Sequence, residues 1–120
     1  NIQELATAVE QGANVKIVVM NNNSLGLVRQ QQNLFYNRNF FASDFKIDVD
    51  FATIARGFGM DGIRLDSTTT FRDRFAEIME KTGPCLIDIH VDRDEEVYPI
   101  VPPGASNSVM IGGCHEECVG

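Results

Sequence analysis

Residues 15–20 read Val-Lys-Ile-Val-Val-Met, and residues 21–24, which follow at once, read Asn-Asn-Asn-Ser. The first run is rich in β-branched residues and shows little alternation, which predicts a strand buried on both faces, as in a parallel sheet. The second run favours a turn, because Asn and Ser side chains hydrogen-bond their own backbone. Together the two runs predict a central strand that ends abruptly in an oxygen-rich loop.

Apolar residues at helical spacing occur on both sides of this strand and predict four helices. Gly12 is expected to end the first helix. Asp50 is expected to cap the start of the third helix, which Gly59 ends, and Ser67 or Thr68 to cap the start of the fourth. The predicted apolar stripes are Ile2, Leu5, Ala6 and Val9; Leu27, Val28, Leu34 and Phe35; Phe51, Ile54, Ala55 and Phe58; and Phe71, Phe75, Ile78 and Met79.

Two further strands are predicted at residues 63–65 and 85–91, so strands and helices alternate along the chain. This order is typical of an α/β fold in which a parallel sheet carries helices on both faces. We expect a domain over residues 1–97 and an irregular C-terminal tail over residues 98–120. Ligands of such sheets gather at the carboxyl ends of the strands, which is where the loop 21–26 lies.

Composition narrows the class of protein. A length of 120 residues with 43% apolar residues suits one domain with one core. A net charge of −7 argues against nucleic acid or an anionic membrane as a partner. Three cysteines are a poor basis for disulfides, which favours a cytoplasmic location. The chain begins with polar residues and lacks an initiator Met, so we expect it to be a piece of a longer protein.

Amide and backbone carbonyl oxygens in the loop 21–26 are hard ligands of the kind that Mg²⁺ prefers, and Mg²⁺ commonly bridges to phosphate. The loop chemistry alone does not decide the matter, because most Asn-rich turns after strands are only turns. The sequence pattern alone therefore fits both a loop that binds Mg²⁺ and phosphate and a turn without a ligand.

Five segments together resemble the thiamine-diphosphate-binding domain of acetolactate synthase large subunits. They are residues 1–8, 15–22, 25–32, 34–36 and 97–105, the last reading Val-Tyr-Pro-Ile-Val-Pro-Pro-Gly-Ala. The resemblance extends to about Gly112. It implies a thiamine-diphosphate- and Mg²⁺-dependent enzyme that decarboxylates pyruvate and joins the product to a second 2-oxo acid, in branched-chain amino acid biosynthesis.

The resemblance also implies roles for individual residues. The side-chain oxygen of Asn22 and the backbone carbonyl of Ser24 would be Mg²⁺ ligands, and Leu25, Gly26 and Leu27 would contact the cofactor diphosphate.

Two further positions, Val28 and Gln31, would line the substrate pocket. Gln31 stands where many family members carry Trp, which leads us to expect only weak preference for 2-oxobutyrate over pyruvate as acceptor.

Other parts of the family's machinery have no match in this chain. These are the Gly-Asp-Gly segment that supplies a third metal ligand, the catalytic Glu, and the domain that binds FAD. We therefore expect no catalytic residue here and an inactive chain in isolation. The resemblance further implies a second large subunit as partner, together with a possible small regulatory subunit.

Two alternatives remain open at this point. One is another thiamine-diphosphate-dependent carboligase or 2-oxo acid decarboxylase, and the other is a non-catalytic α/β binding module. We expect Cys114, His115 and Cys118 to form a solvated tail, because a structural zinc site needs four ligands. His90 is expected to be structural, whereas Arg29 is expected either to face the diphosphate or to be solvated.

Overall fold

The computed structural model describes residues 1–66 and 71–112. It contains, in chain order, α1 (Glu4–Glu10), β1 (Lys16–Asn21), α2 (Gly26–Phe35), α3 (Phe51–Gly57), β2 (Asp61–Leu65), α4 (Phe71–Glu80) and β3 (Cys85–His90). Every predicted helix and strand is present. The predicted cap at Ser67 or Thr68 and the residues Cys114, His115 and Cys118 lie outside the described part. Within that part, none of the helices combines the length and apolarity that crossing a bilayer requires.

Two predicted helix boundaries are confirmed by local geometry. Gly12, which follows α1, has φ +57°, a conformation that glycine adopts without steric penalty. Asp50 precedes α3, and its carboxylate accepts a hydrogen bond of 2.7 Å from the backbone N–H of Thr53. This bond satisfies one of the amides that the first turn of a helix leaves unpaired.

The three strands form one parallel sheet in the order β1-β3-β2. Val18 pairs with Ile87, and Ile87 pairs with Ile63, so the last strand in sequence lies in the middle. Residues 85–89 of β3 are all buried. The predicted parallel α/β fold is confirmed.

Helices cover the two faces of the sheet unequally. On the side that we call the closed face, α3 packs on β2 and β3, and side chains of α1 and β1 join the same cluster. Its cluster consists of Leu5, Ala55, Met60 and Leu86, with Ala8, Val9, Ile17, Val19, Phe51 and Phe58 around them. On the side that we call the open face, α4 packs on β2 and β3. Its cluster consists of Leu65, Ile78, Cys85, Ile87 and Ile89, with Ile63, Phe71, Phe75 and Val91 around them.

The prediction that β1 is a central strand buried on both faces was wrong. The strand lies at the edge of the sheet, and its residues Val18 and Met20 are 42% and 62% exposed. The physical reason is that the cluster under α4 includes no residue of β1, so the described part of the chain leaves the open face of β1 uncovered. The β-branched run reflects burial on the closed face only.

The predicted inner face of α4 was wrong at Met79, which is 47% exposed. The other three members of the stripe, Phe71, Phe75 and Ile78, do pack on the sheet. Their spacing already defines a narrow stripe, and Met79 lies one residue beyond it on the solvent side.

One glycine allows α3 to approach the sheet very closely. A Cβ atom added to Gly62 of β2 would lie 2.1 Å from the backbone oxygen of Ala52, which belongs to α3. Any other residue at position 62 would push this helix off the closed face.

Candidate functional site

A cleft of about 1230 Å³ opens on the open face, at the carboxyl ends of β1 and β3. Its position agrees with the general rule for ligand sites in parallel sheets. The residues that line it are Met20, Asn22, Ser24, Gly26, Leu27, Gln30, Phe71, Ile89, His90, Val91, Asp92, Glu95, Glu96 and Val97.

The loop after β1 is shaped by its own amide side chains. The side-chain oxygen of Asn21 accepts a hydrogen bond from the backbone N–H of Asn23 at 3.0 Å, and that of Asn22 accepts one from the N–H of Ser24 at 3.2 Å. Asn23 has φ +52°, which asparagine tolerates better than most residues. Two successive turns of this kind fold the chain back sharply and hold the side chain of Asn22 against the cleft.

A second segment of the chain anchors the same loop. The carbonyl oxygen of Ser43 accepts two hydrogen bonds, from the backbone N–H of Leu25 at 2.7 Å and from the hydroxyl of Ser24 at 2.9 Å. Ser43 is only 1% exposed. Because the hydroxyl of Ser24 is engaged in this way, its side chain fixes the loop.

Helix α2 begins directly after this loop. The residue before its first turn is Leu25, and among the described residues no side chain caps the helix. The first backbone N–H groups of a helix have no partner within the helix, and together with the helix dipole they attract anions. A Cβ atom added to Gly26 would lie 2.7 Å from the side-chain nitrogen of Asn22, so a larger residue at this position would displace the Asn22 amide.

The structure brings some of the sequence-predicted residues together and leaves others apart. Asn22, Ser24, Gly26 and Leu27 all line the cleft. The remaining three, Leu25, Val28 and Gln31, do not line it. Val28 and Gln31 lie three residues apart on α2 and therefore share an exposed face of this helix beside the cleft.

Arg29 has a different environment from either of the two that were predicted. Its side chain is 15% exposed and forms ion pairs with Asp44 at 3.3 Å and Asp94 at 2.6 Å. The guanidinium also lies 4.0 Å from the centre of the Phe40 ring. The hydrogen bond from Arg29 holds the pKa of the exposed Asp94 below its usual value. Arg29 therefore ties three segments together.

The pattern-based prediction missed Gln30. This side chain is 3% exposed, lines the cleft, and forms hydrogen bonds to the backbone of Val97. The local sequence did not indicate that this glutamine is buried, because its hydrogen-bond partner lies 67 residues away along the chain.

A cluster of polar side chains lies on the closed face, at the ends of the three strands. His90 has one ring nitrogen 3.4 Å from the side-chain nitrogen of Asn21 and the other 3.2 Å from Arg64. Arg64 in turn pairs with Asp48 at 2.7 Å. His90 also lines the cleft, so its expected structural role stays a prediction.

Asp88 lies under the same cluster and is fully buried. Within the described residues, neither of its carboxylate oxygens has a hydrogen-bond partner, and a ring nitrogen of His90 lies 3.7 Å from one of them.

Comparison with known proteins identifies the family. The family described as "Thiamine pyrophosphate enzyme, C-terminal TPP binding domain" matches residues 1–89. This chain belongs to that family. The cleft therefore lies in a domain of the thiamine pyrophosphate (thiamine diphosphate) enzyme family.

Individual relatives extend the match to most of the chain. It is 46% identical over 112 residues to the acetolactate synthase isozyme 1 large subunit of Escherichia coli K12, with 93% of the chain aligned. It is 42% identical over 113 residues to the acetolactate synthase large subunit of Parasynechococcus marenigrum, and 35% identical over 111 residues to the isozyme 2 large subunit of E. coli K12. The chain spans about a fifth of the length of these relatives, 20%, 18% and 20% respectively.

The donor set of the cleft suits a metal-bound diphosphate. Within the described residues no group of three or more His, Cys, Asp or Glu side chains can hold a metal, so a soft or carboxylate-rich centre is absent from that part. The groups that do converge are the amide of Asn22, the backbone around Ser24 and the uncapped start of α2. Neutral oxygens and helix N–H groups are suited to Mg²⁺ and phosphate, respectively.

Proposed function

We propose that this chain is the part of an acetolactate synthase large subunit that anchors the diphosphate end of thiamine diphosphate through Mg²⁺. The observation that carries the proposal is the convergence of Asn22, Ser24, Gly26 and Leu27 on one cleft at the carboxyl end of the sheet. The side-chain oxygen of Asn22 and the carbonyl of Ser24 are the proposed metal ligands. Leu25, Gly26 and Leu27 are the proposed diphosphate contacts.

Charge supports the need for a cation at this site. Asp92, Glu95 and Glu96 line the cleft, and their negative charges repel a bare diphosphate. A divalent cation between the phosphate oxygens and the loop removes that repulsion. Neutral ligands such as Asn22 suit this arrangement, because the diphosphate itself supplies the negative charge around the metal.

The proposed division of labour follows from these contacts. When bound, the cofactor supplies the electron sink for decarboxylating a 2-oxo acid and transferring the remaining group. The chain orients the cofactor by fixing its diphosphate, while Leu27, Met20 and Val97 provide apolar surface that limits water in the cleft.

The relatives favour one reaction over the alternatives. Their names are acetolactate synthases, so we propose the same reaction for the intact protein: pyruvate is decarboxylated and joined to a second 2-oxo acid. The relatives are called large subunits, and we propose that the intact protein pairs with a second large subunit and a small regulatory subunit. FAD and the catalytic Glu are proposed to lie outside this chain.

Replacing Asn22 with Ala in the intact protein tests the proposal. We expect the Kd for thiamine diphosphate in the presence of Mg²⁺ to rise by about tenfold or more, because a hydrogen-bonded or charged contact contributes about 1.5–3 kcal/mol. Titration calorimetry with and without Mg²⁺ measures this effect. The matched control is Asn23→Gly, which keeps the positive φ of the same loop and removes a side chain that lies outside the cleft lining.

An unchanged dependence on Mg²⁺ and thiamine diphosphate in Asn22→Ala would overturn the anchoring proposal. Product analysis with the wild-type protein separates the reactions. Release of an aldehyde without carboligation would indicate a 2-oxo acid decarboxylase. In competition between the two acceptors, the glutamine at position 31 leads us to expect weak preference for 2-oxobutyrate.

A further inference from the structure

The segment after β3 is fastened to α2 by a two-bond contact. The side-chain nitrogen of Gln30 donates to the carbonyl of Val97 at 2.8 Å, and the N–H of Val97 donates to the side-chain oxygen of Gln30 at 3.2 Å. Both bonds of one amide therefore go to the backbone of one residue. Because Gln30 is 3% exposed, loss of either bond would leave a buried polar group without its partner.

Two flanking contacts join the same helix to the same segment, residues 94–97, which we call the strap. Arg29 pairs with Asp94 at 2.6 Å, and the side-chain amide of Asn33 donates to Glu96 at 2.5 Å. The carboxylate of Asp94 is 78% exposed, so this ion pair contributes little on its own. Of the three residues of α2 that contact the strap, Gln30 is the most deeply buried.

The strap forms one wall of the cleft. Glu95, Glu96 and Val97 line it together with Leu27 and Gln30 of α2. The side chain of Val97 is 65% exposed, although it is apolar and its backbone is clamped. An apolar side chain that is held in place yet left uncovered beside a cofactor cleft is suited to contact with an alkyl group.

We infer that Gln30 is a positioning residue that holds Val97 as the apolar wall for the alkyl group of the acceptor 2-oxo acid. The inference rests on the proposed function and deepens it. Gln30 does not contact the reacting atoms; it acts through the backbone of Val97. Helix α2 thereby couples two tasks, since its first turn faces the proposed diphosphate site and its second turn fixes the wall.

Helix α2 also offers a matched control for the pair of hydrogen bonds between Gln30 and Val97, which we call the clamp. Gln32 forms the same pair of hydrogen bonds with Phe41: its side-chain nitrogen donates to the Phe41 carbonyl at 2.9 Å, and the Phe41 N–H donates to its oxygen at 3.3 Å. Neither Gln32 nor Phe41 lines the cleft. Gln30→Leu and Gln32→Leu therefore remove the same bonds from the same helix, and only the first affects the strap.

The test uses the intact protein with thiamine diphosphate and Mg²⁺. We expect Gln30→Leu to raise the KM for the acceptor 2-oxo acid by about tenfold, with kcat changed by less than about twofold, because a lost contact made equally in ground and transition states appears in KM. We expect the calorimetric Kd for thiamine diphosphate to stay within about twofold of the wild-type value. Gln32→Leu is expected to leave KM, kcat and this Kd unchanged.

A second variant tests the wall without disturbing the clamp. Val97→Thr keeps the shape of the side chain and replaces a methyl group with a hydroxyl, so we expect the acceptor KM to rise about threefold to fivefold. If Gln30→Leu does not fold, the result with Val97→Thr decides the inference. Wild-type acceptor KM in Val97→Thr would overturn it, and so would equal effects of Gln30→Leu and Gln32→Leu.

Failure of the inference is distinguishable from failure of the proposed function. A wild-type protein that neither binds thiamine diphosphate nor forms a carboligation product would refute the proposed function itself. A wild-type protein that does both, with an acceptor KM that Gln30→Leu leaves unchanged, would refute only the positioning role.

Discussion

The two faces of the sheet differ in how completely they are covered, although the same three strands form both. On the closed face, α1 and α3 bury Leu86 and the inward residues of β1. On the open face, α4 covers β2 and β3 and leaves Met20 exposed beside the cleft. Both faces contribute a buried cluster, but the cleft, with its polar loop and apolar walls, lies on the open face.

The largest expected difference between the faces concerns stability. Leu86 is 5% exposed within the closed cluster, and we expect Leu86→Ala to lower the free energy of unfolding by about 2–5 kcal/mol. Met20 is 62% exposed on the open face, so Met20→Ala is expected to lower it by less than about 1 kcal/mol. The apparent Tm of the intact protein, measured by calorimetry, compares the two variants. Equal losses would mean that the difference in cover does not hold in the intact protein.

A smaller effect is expected at the mouth of the open face, where binding rather than stability should change. The Cβ atom of Gly26→Ala would lie 2.7 Å from the side-chain nitrogen of Asn22 and displace that amide. We expect the Kd for thiamine diphosphate with Mg²⁺ to rise about tenfold, measured by calorimetry, which corresponds to about 1.4 kcal/mol.

Gly57 provides the control for this variant. It is the last residue of α3 on the other side of the sheet, and within the described part of the chain an added Cβ atom would have no neighbour within 4 Å. Gly57→Ala is therefore expected to leave cofactor binding unchanged and to stabilise the helix slightly, since alanine has the higher helix propensity. Equal effects of both variants on Kd would show that contact with Asn22 is not the reason for the glycine at position 26.

Local signals predicted much of this arrangement. Apolar spacing predicted the four helices, the glycine and aspartate caps predicted their ends, and the run at residues 15–20 predicted β1. The order β1-β3-β2 was not predictable in this way, because no local pattern says which strands become neighbours. For the same reason the sequence indicated burial of β1 and could not indicate that one of its faces is uncovered.

The residues of the candidate site also differ in whether the local sequence could predict them. Asn22, Ser24, Gly26 and Leu27 are consecutive or nearly so, and resemblance to a family was enough to propose them. The clamp between Gln30 and Val97 joins residues 67 positions apart, so only the structure reveals it. A glutamine in a predicted helix is most often solvated, and its burial depends on the path of the strap.

The smallest expected effect is a dependence of folding stability on acid pH, which Asp50 causes at the start of α3 on the closed face. The hydroxyl and the backbone N–H of Thr53 donate to Asp50 and hold the pKa of this carboxyl below its ordinary value of 3.8. A carboxyl whose pKa is lowered by folding stabilises the folded state above its unfolded pKa, and this contribution is lost as the pH falls through its folded pKa. We therefore expect the Tm difference between wild type and Asp50→Asn to shrink as the pH is lowered below 3.8.

Thermal unfolding followed by circular dichroism from neutral pH downward measures this difference, and Thr53→Ala serves as the companion variant. It keeps the carboxylate but removes the hydroxyl, which is the largest cause of the lowered pKa, so the stability lost on acidification should be smaller than in the wild type. A Tm difference for Asp50→Asn that stays constant through the acid range would contradict the assignment. It would mean that Asp50 caps α3 through geometry alone, because asparagine accepts the same backbone hydrogen bond without any charge.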